Sequence, residues 1–256
     1  MRHFFWFTFL LILSCRSPRS YYLHTELAWL DGDPDFAVAP GPWKTDRVPV
    51  VVSDSVNVPD ELVLATLRAL MELPGAADSC DPSMGRPRQD AAEYCVALYR
   101  TPEDWRVSWP VRSLSGELSS CQPPFGGVED EDFGRDVPVL GFAHNHPCGT
   151  NMSSPDLGVF PMARLGEGQW VMVAYGVTPS GRLLRDTNGS PVPAWHWLAT
   201  GHLEKPRFLK WNQSGEVFKW INAEKEWEFQ SNCQPASSSL LSPGALSPVC
   251  SPELNR

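Results

Sequence analysis

The chain has 256 residues, 42% of them hydrophobic, which is enough to bury a core and excludes collagen, a coiled coil and wholesale disorder. Lys plus Arg number 21 against 30 Asp plus Glu, a formal net charge of -9, and an acidic chain with no basic block is a poor partner for nucleic acid or anionic headgroups. The 25 Pro and 19 Gly break the chain into turns, so short strands and few long helices are expected.

Arg2 precedes an apolar run over residues 4–13, too short to span a bilayer but long enough for a signal-peptide core. Residues 1–14 therefore read as a signal peptide and the protein as exported. Ile12-Leu13-Ser14-Cys15 resembles the lipobox of bacterial lipoproteins. That resemblance implies lipid on Cys15 and anchoring at the cell envelope, in the outer membrane or periplasm; the alternative is an ordinary secretory signal and a secreted protein. Beyond Cys15 the remaining cysteines are Cys80, Cys95, Cys121, Cys148, Cys233 and Cys250. An even set in an oxidising compartment suggests disulfides, with connectivity left open. Residues 15–47 hold no sustained period and read as a tether and irregular lead-in.

A domain is expected over residues 48–200. A short strand at 48–52 comes first, then a helix from Pro59 through Leu62, Leu67, Leu70 and Leu73, with Asp60 and Glu61 at its positive end. After a loop over 74–90, residues 92–99 and 105–111 read as strands joined by the turn at Thr101. Residues 115–136 are an acidic loop whose run at 129–132 reads as solvated surface. Residues 137–143 form an apolar strand leading into His144, and 169–177 with 182–185 a hairpin. A second hairpin, 207–211 with 216–221, falls in a β-rich extension over 201–234, where Trp211, Trp220 and Trp227 form a small core. Residues 235–256 read as a flexible Ser/Pro tail.

Chemistry is concentrated in His144-Asn145-His146-Pro147 and the following Ser153-Ser154-Pro155-Asp156. Residues i and i+2 of a strand share a face, so His144 and His146 can present two imidazoles to one metal ion. Asp156 follows a tight loop, where Ser154 can cap a new helix with Pro155 in its first turn. Two His and one carboxylate are the three ligands of an open catalytic zinc site, one Zn2+ per chain.

This pattern resembles the JAMM metalloproteases (the MPN+ family), whose hallmark is His-x-His-Pro, a short loop and Ser-x-x-Asp, with a Glu on an upstream strand. Glu93-Tyr94-Cys95 looks like that upstream strand. The resemblance implies an α/β, MPN-like (cytidine-deaminase-like) fold: a mixed curved sheet flanked by helices, one of them starting at Ser154. It implies that His144, His146 and Asp156 bind zinc, that Glu93 accepts a proton from the attacking water, and that Ser153 steadies the oxyanion. Ser153 stands one position closer to His146 than is usual in the family. Ser154 fills the usual place, but its matching acid position is Leu157, which cannot bind metal.

The function expected is zinc-dependent hydrolysis of a peptide or isopeptide bond in a peptide or protein substrate. The rival is a catalytically silent MPN-like binding module at the cell envelope. A structural zinc site of His144, His146 and Cys148 is a further alternative, as is an HNH nuclease, which the acidic composition disfavours. Glu103 and Glu117 are the alternative acids to Glu93. His24, His196 and His202 lack ligand spacing and read as surface or packing residues.

Overall fold

The computed structural model describes residues 20–22, 37–39, 51–113, 121, 126–130, 132–166, 169–236 and 247–254. The apolar run, Cys15, His24, Glu117, most of the tether and the centre of the Ser/Pro tail lie outside the described residues.

Among the described residues the main sheet has ten strands. They are β1 (Ser20–Tyr22), β2 (Cys95–Arg100), β3 (Trp105–Val107), β4 (Val111–Ser113), β5 (Val139–Asn145), β6 (Trp195–His202), β7 (Lys205–Trp211), β8 (Glu216–Ile221), β9 (Glu226–Gln234) and β10 (Val249–Ser251). Their order across the sheet is β1-β4-β2-β5-β6-β7-β8-β9-β10, with β3 also paired to β2. β5 and β6 run parallel, with His144 opposite Leu198, while β2 lies antiparallel on the other side of β5, with Cys95 opposite His144.

One face carries α1 (Asp60–Met71), begun at Pro59 with Asp60 and Glu61 in its first turn. Its helical spacing puts Leu62, Leu67 and Leu70 into one core with Val96, Leu98, Leu140, Trp197 and Ala199. Each such fully buried Leu contributes roughly 2 kcal/mol. Met152, Leu157, Phe160, Leu198, Leu209, Trp211 and Val217 form a second core. Successive strand residues alternate between faces, so Trp197 and Ala199 look to α1 while His196 and Leu198 look away. Gly141 is needed where β5 meets β6: its φ is +150°, and a Cβ there would strike the Trp195 carbonyl oxygen and the Trp197 ring.

The expected helix-flanked α/β architecture is overturned. Strand accounts for 41% and helix for 8%, with one α-helix among the described residues, so the protein is mostly β. The second helix expected from Ser154 is a 3-10 turn, Asp156–Gly158. Pro161 explains its brevity, because proline lacks the N–H that a continuing helix requires and pushes the residue before it into extended backbone. Ser154 caps nothing; its Oγ accepts a bond from the Ala236 amide at 3.0 Å.

Other segments also depart from expectation. The hairpin expected of 169–177 with 182–185 is present next to its turn, where Val177 pairs with Leu183 and the Leu184 amide donates to Gly176 O, but Gln169–Met172 pairs instead with Met162–Leu165. Residues 207–211 and 216–221 do pair as a hairpin, but within the main sheet rather than an added one. β10 lies in the expected tail and is tied to β9 by Cys233–Cys250. Asp130, expected in solvent, is buried: it accepts from Tyr99 Oη at 2.6 Å and pairs with Arg106 at 3.1 Å. The remaining disulfides are Cys80–Cys148 and Cys95–Cys121.

Candidate metal centre

The period of two sends the His144 and His146 imidazoles off the face opposite α1, and their Nε2 atoms stand 3.1 Å apart. Asp156 places Oδ1 3.6 Å from His144 Nε2 and Oδ2 3.4 Å from His146 Nε2. Zinc bonds of about 2.0–2.1 Å in a tetrahedron separate neighbouring ligand atoms by roughly 3.3 Å. Asp156 reaches each imidazole with a different oxygen, so the carboxylate brackets the pair of nitrogens at distances near such an edge, and two imidazoles with one carboxylate are a donor set that fits the ion.

Hydrogen bonds on the far side of each ring set where its lone pair points. His146 Nδ1 lies 3.1 Å from the Asn151 carbonyl and 3.3 Å from that of Thr150. A carbonyl only accepts, so Nδ1 donates and Nε2 is left to the cluster. The loop supplying these carbonyls is pinned: Cys148 is bonded to Cys80, Thr200 Oγ1 donates to Thr150 O at 2.6 Å, and Arg207 Nη2 donates to Gly149 O at 3.0 Å. That disulfide also removes Cys148 as the third ligand of a structural site.

Asp156 enters from the 3-10 turn. The Ser153 amide and Oγ donate to its Oδ2 at 2.6 and 2.7 Å, and Trp211 Nε1 donates to its backbone carbonyl at 3.2 Å. The single Ser153 hydroxyl proton, expected to face an oxyanion, is thereby given to the carboxylate.

Glu93 sits just before β2 rather than within it. Its placement depends on Asn145, fully buried between the two histidines in sequence. Asn145 Nδ2 donates to Ala76 O at 2.7 Å and Ala92 O at 2.9 Å, and its Oδ1 accepts from the Tyr94 amide at 2.8 Å. This clamp brings Glu93 Oε1 to 4.0 Å from His146 Nε2, longer than a tetrahedral edge. Glu93 therefore stands beside the ligand triangle rather than in it. Glu103 is exposed in the turn after β2, at the end of that strand remote from His144.

Burial governs the charges. It pushes the Glu93 carboxyl up to about 8, with Asp156 adding to the rise and His146 opposing it. Burial also pulls the His146 imidazole down, but the bond to Asp156 and the charges of Asp156 and Glu93 outweigh it and hold the ring at about 8. The His144 ring lies well below its ordinary value because burial outweighs Asp156. Burial raises the Asp156 carboxyl less than the His144 charge, the His146 bond and charge and the Ser153 amide lower it, so it stays ionised. The Glu93 and Asp156 side chains are 15% and 17% exposed against 4% and 8% for His144 and His146, so the carboxylate side is the open one.

The structure thus gathers His144, His146, Asp156, Ser153 and Glu93, all legible in sequence. It also adds His196, which spacing did not mark: it is fully buried on β6, with Nε2 2.8 Å from His144 Nδ1 and its ring stacked on Trp211 at 4.6 Å. A lone His in the strongly apolar run Trp195-His196-Trp197-Leu198-Ala199 was the available signal, since a buried imidazole needs a partner. Comparison of the chain with protein-family models, with curated proteins and with solved structures found no match in any of the three.

Proposed function

We propose that the chain is a zinc-dependent hydrolase of a peptide or isopeptide bond, acting outside the reducing cytoplasm. The observation that carries this reading is the His144–His146–Asp156 cluster, its imidazole Nε2 atoms 3.1 Å apart and the two Asp156 oxygens 3.6 Å from His144 and 3.4 Å from His146, flanked by Glu93 at 4.0 Å. Bound there, zinc would lower the pKa of a water to about 7 and polarise a scissile carbonyl. Glu93 takes the proton from the attacking water and returns it to the leaving amine, as general base and then general acid. Ser153 and Trp211 hold Asp156 in place, and substrate approaches along the carboxylate side. The likeness of the two short motifs to JAMM enzymes supports this chemistry alone and says nothing of the fold. Three disulfides and the apolar run over residues 4–13 support export.

The test combines elemental analysis with a screen of peptide cleavage by the purified protein. The expected result is about one zinc per chain, cleavage abolished by chelator and restored by zinc, and metal largely lost in His144→Ala. Full occupancy in folded His144→Ala would overturn the site. Zinc-loaded protein that cleaves nothing would leave the binding module as the better reading.

A further inference from the structure

The hydrogen bonds behind His144 form a chain that runs in one direction. His196 Nδ1 lies 3.0 Å from the Val159 carbonyl oxygen, and its Nε2 lies 2.8 Å from His144 Nδ1. The carbonyl can only accept, so a neutral His196 carries its proton on Nδ1, and its Nε2 can then only accept. His144 must in turn donate from Nδ1, which strips its Nε2 of a proton and directs that lone pair at His146 and Asp156. Trp211 stacks flat on the His196 ring, 8° from parallel, and fixes the plane in which this happens.

We infer that His196 is a positioning residue: relaying the Val159 carbonyl through its ring, it holds His144 in the tautomer whose Nε2 faces the metal triangle. The purpose of the relay rests on the zinc reading above, whereas its existence does not. In metal sites such a partner also makes the ligand more basic, and losing one typically costs ten- to a hundred-fold in metal affinity.

Two variants separate the relay from packing. His196→Phe keeps a flat ring against Trp211 but has no acceptor for His144. His196→Gln loses the ring but offers a side-chain oxygen in place of Nε2. In zinc-free protein carrying 15N-histidine, the ring-nitrogen shifts of His144 should report a proton on Nδ1 in wild type, loss of that preference in His196→Phe, and its recovery in His196→Gln. A tautomer unchanged by Phe overturns the relay. Zinc affinity, measured against a competing chelator, should fall about ten- to a hundred-fold in His196→Phe and recover in His196→Gln. Affinity that stays at the wild-type value in Phe overturns the relay's part in metal binding. A wild type that binds no zinc yet shows the Phe-dependent tautomer change sinks the zinc reading and leaves the relay standing.

Discussion

Glu93→Gln should lower turnover by roughly a hundred- to ten-thousand-fold, the range over which a positioned acid or base acts, while zinc content stays at the wild-type level. Gln keeps the shape of Glu93 and removes the oxygen that accepts a proton. Its distance of 4.0 Å from His146 Nε2 places it beyond the ligand edges, so the triangle of His144, His146 and Asp156 is left whole. Asp156→Ala should fail differently, losing metal first and activity as a consequence. Turnover on a peptide found by the screen, measured beside zinc content for both variants, separates these outcomes. Undiminished turnover in Glu93→Gln would remove Glu93 from the chemistry. Glu103, exposed at the far end of β2, could not take its place without a large rearrangement.

Zinc affinity should climb steeply between pH 6 and pH 8 and flatten above it. In the metal-free protein His146 and Glu93 are both raised to about 8, so below that pH both hold protons. A ligating imidazole must be neutral on the atom it offers, and a divalent charge beside Glu93 favours its carboxylate. The free site thus binds more protons than the loaded one, and affinity rises with pH by roughly tenfold per unit for each proton released. Two protons would give up to about a hundredfold per unit well below pH 8. Competition with a chelator at pH 6, 7, 8 and 9 measures the slope, and Glu93→Gln should reduce it by about one proton. A flat profile would mean that these groups do not sit where zinc binds.

The cluster of His144, His146 and Asp156 was legible in the chain because its determinants are local. Two histidines at strand spacing share a face whatever the sheet around them, and Ser153 with Asp156 closes a turn within its own few residues. α1 was legible for the same reason, since Pro59 and the spacing of Leu62, Leu67 and Leu70 lie in one segment. The sheet was not, because its pairings are decided between distant segments. Nothing in residues 162–172 announces that Gln169–Met172 prefers Met162–Leu165 to the segment at 182–185. Nor does local sequence place β6 parallel to β5 and so bring His196 behind His144. The helix expected at Ser154 fails for a reason the sequence carries, since Pro161 overrides the favourable start at Ser154 and Pro155.

Asn145 has a consequence for motion. The Tyr94 amide is protected by a side chain, Asn145 Oδ1 at 2.8 Å, and that side chain hangs from the backbone between the two imidazoles. Its exchange with deuterium therefore times the separation of the Glu93 segment from β5, an opening with its own free energy, distinct from global unfolding. A cation held by His144 and His146 would still the backbone that carries Asn145. Zinc should thus slow exchange at Tyr94 while the β8–β9 hairpin keeps its metal-free rates, a contrast readable by hydrogen–deuterium exchange. Unchanged exchange at Tyr94 on saturation would show that the clamp opens without regard to the metal. Slowed exchange would show that Glu93 and the two imidazoles move as one body, with Asn145 the link between them.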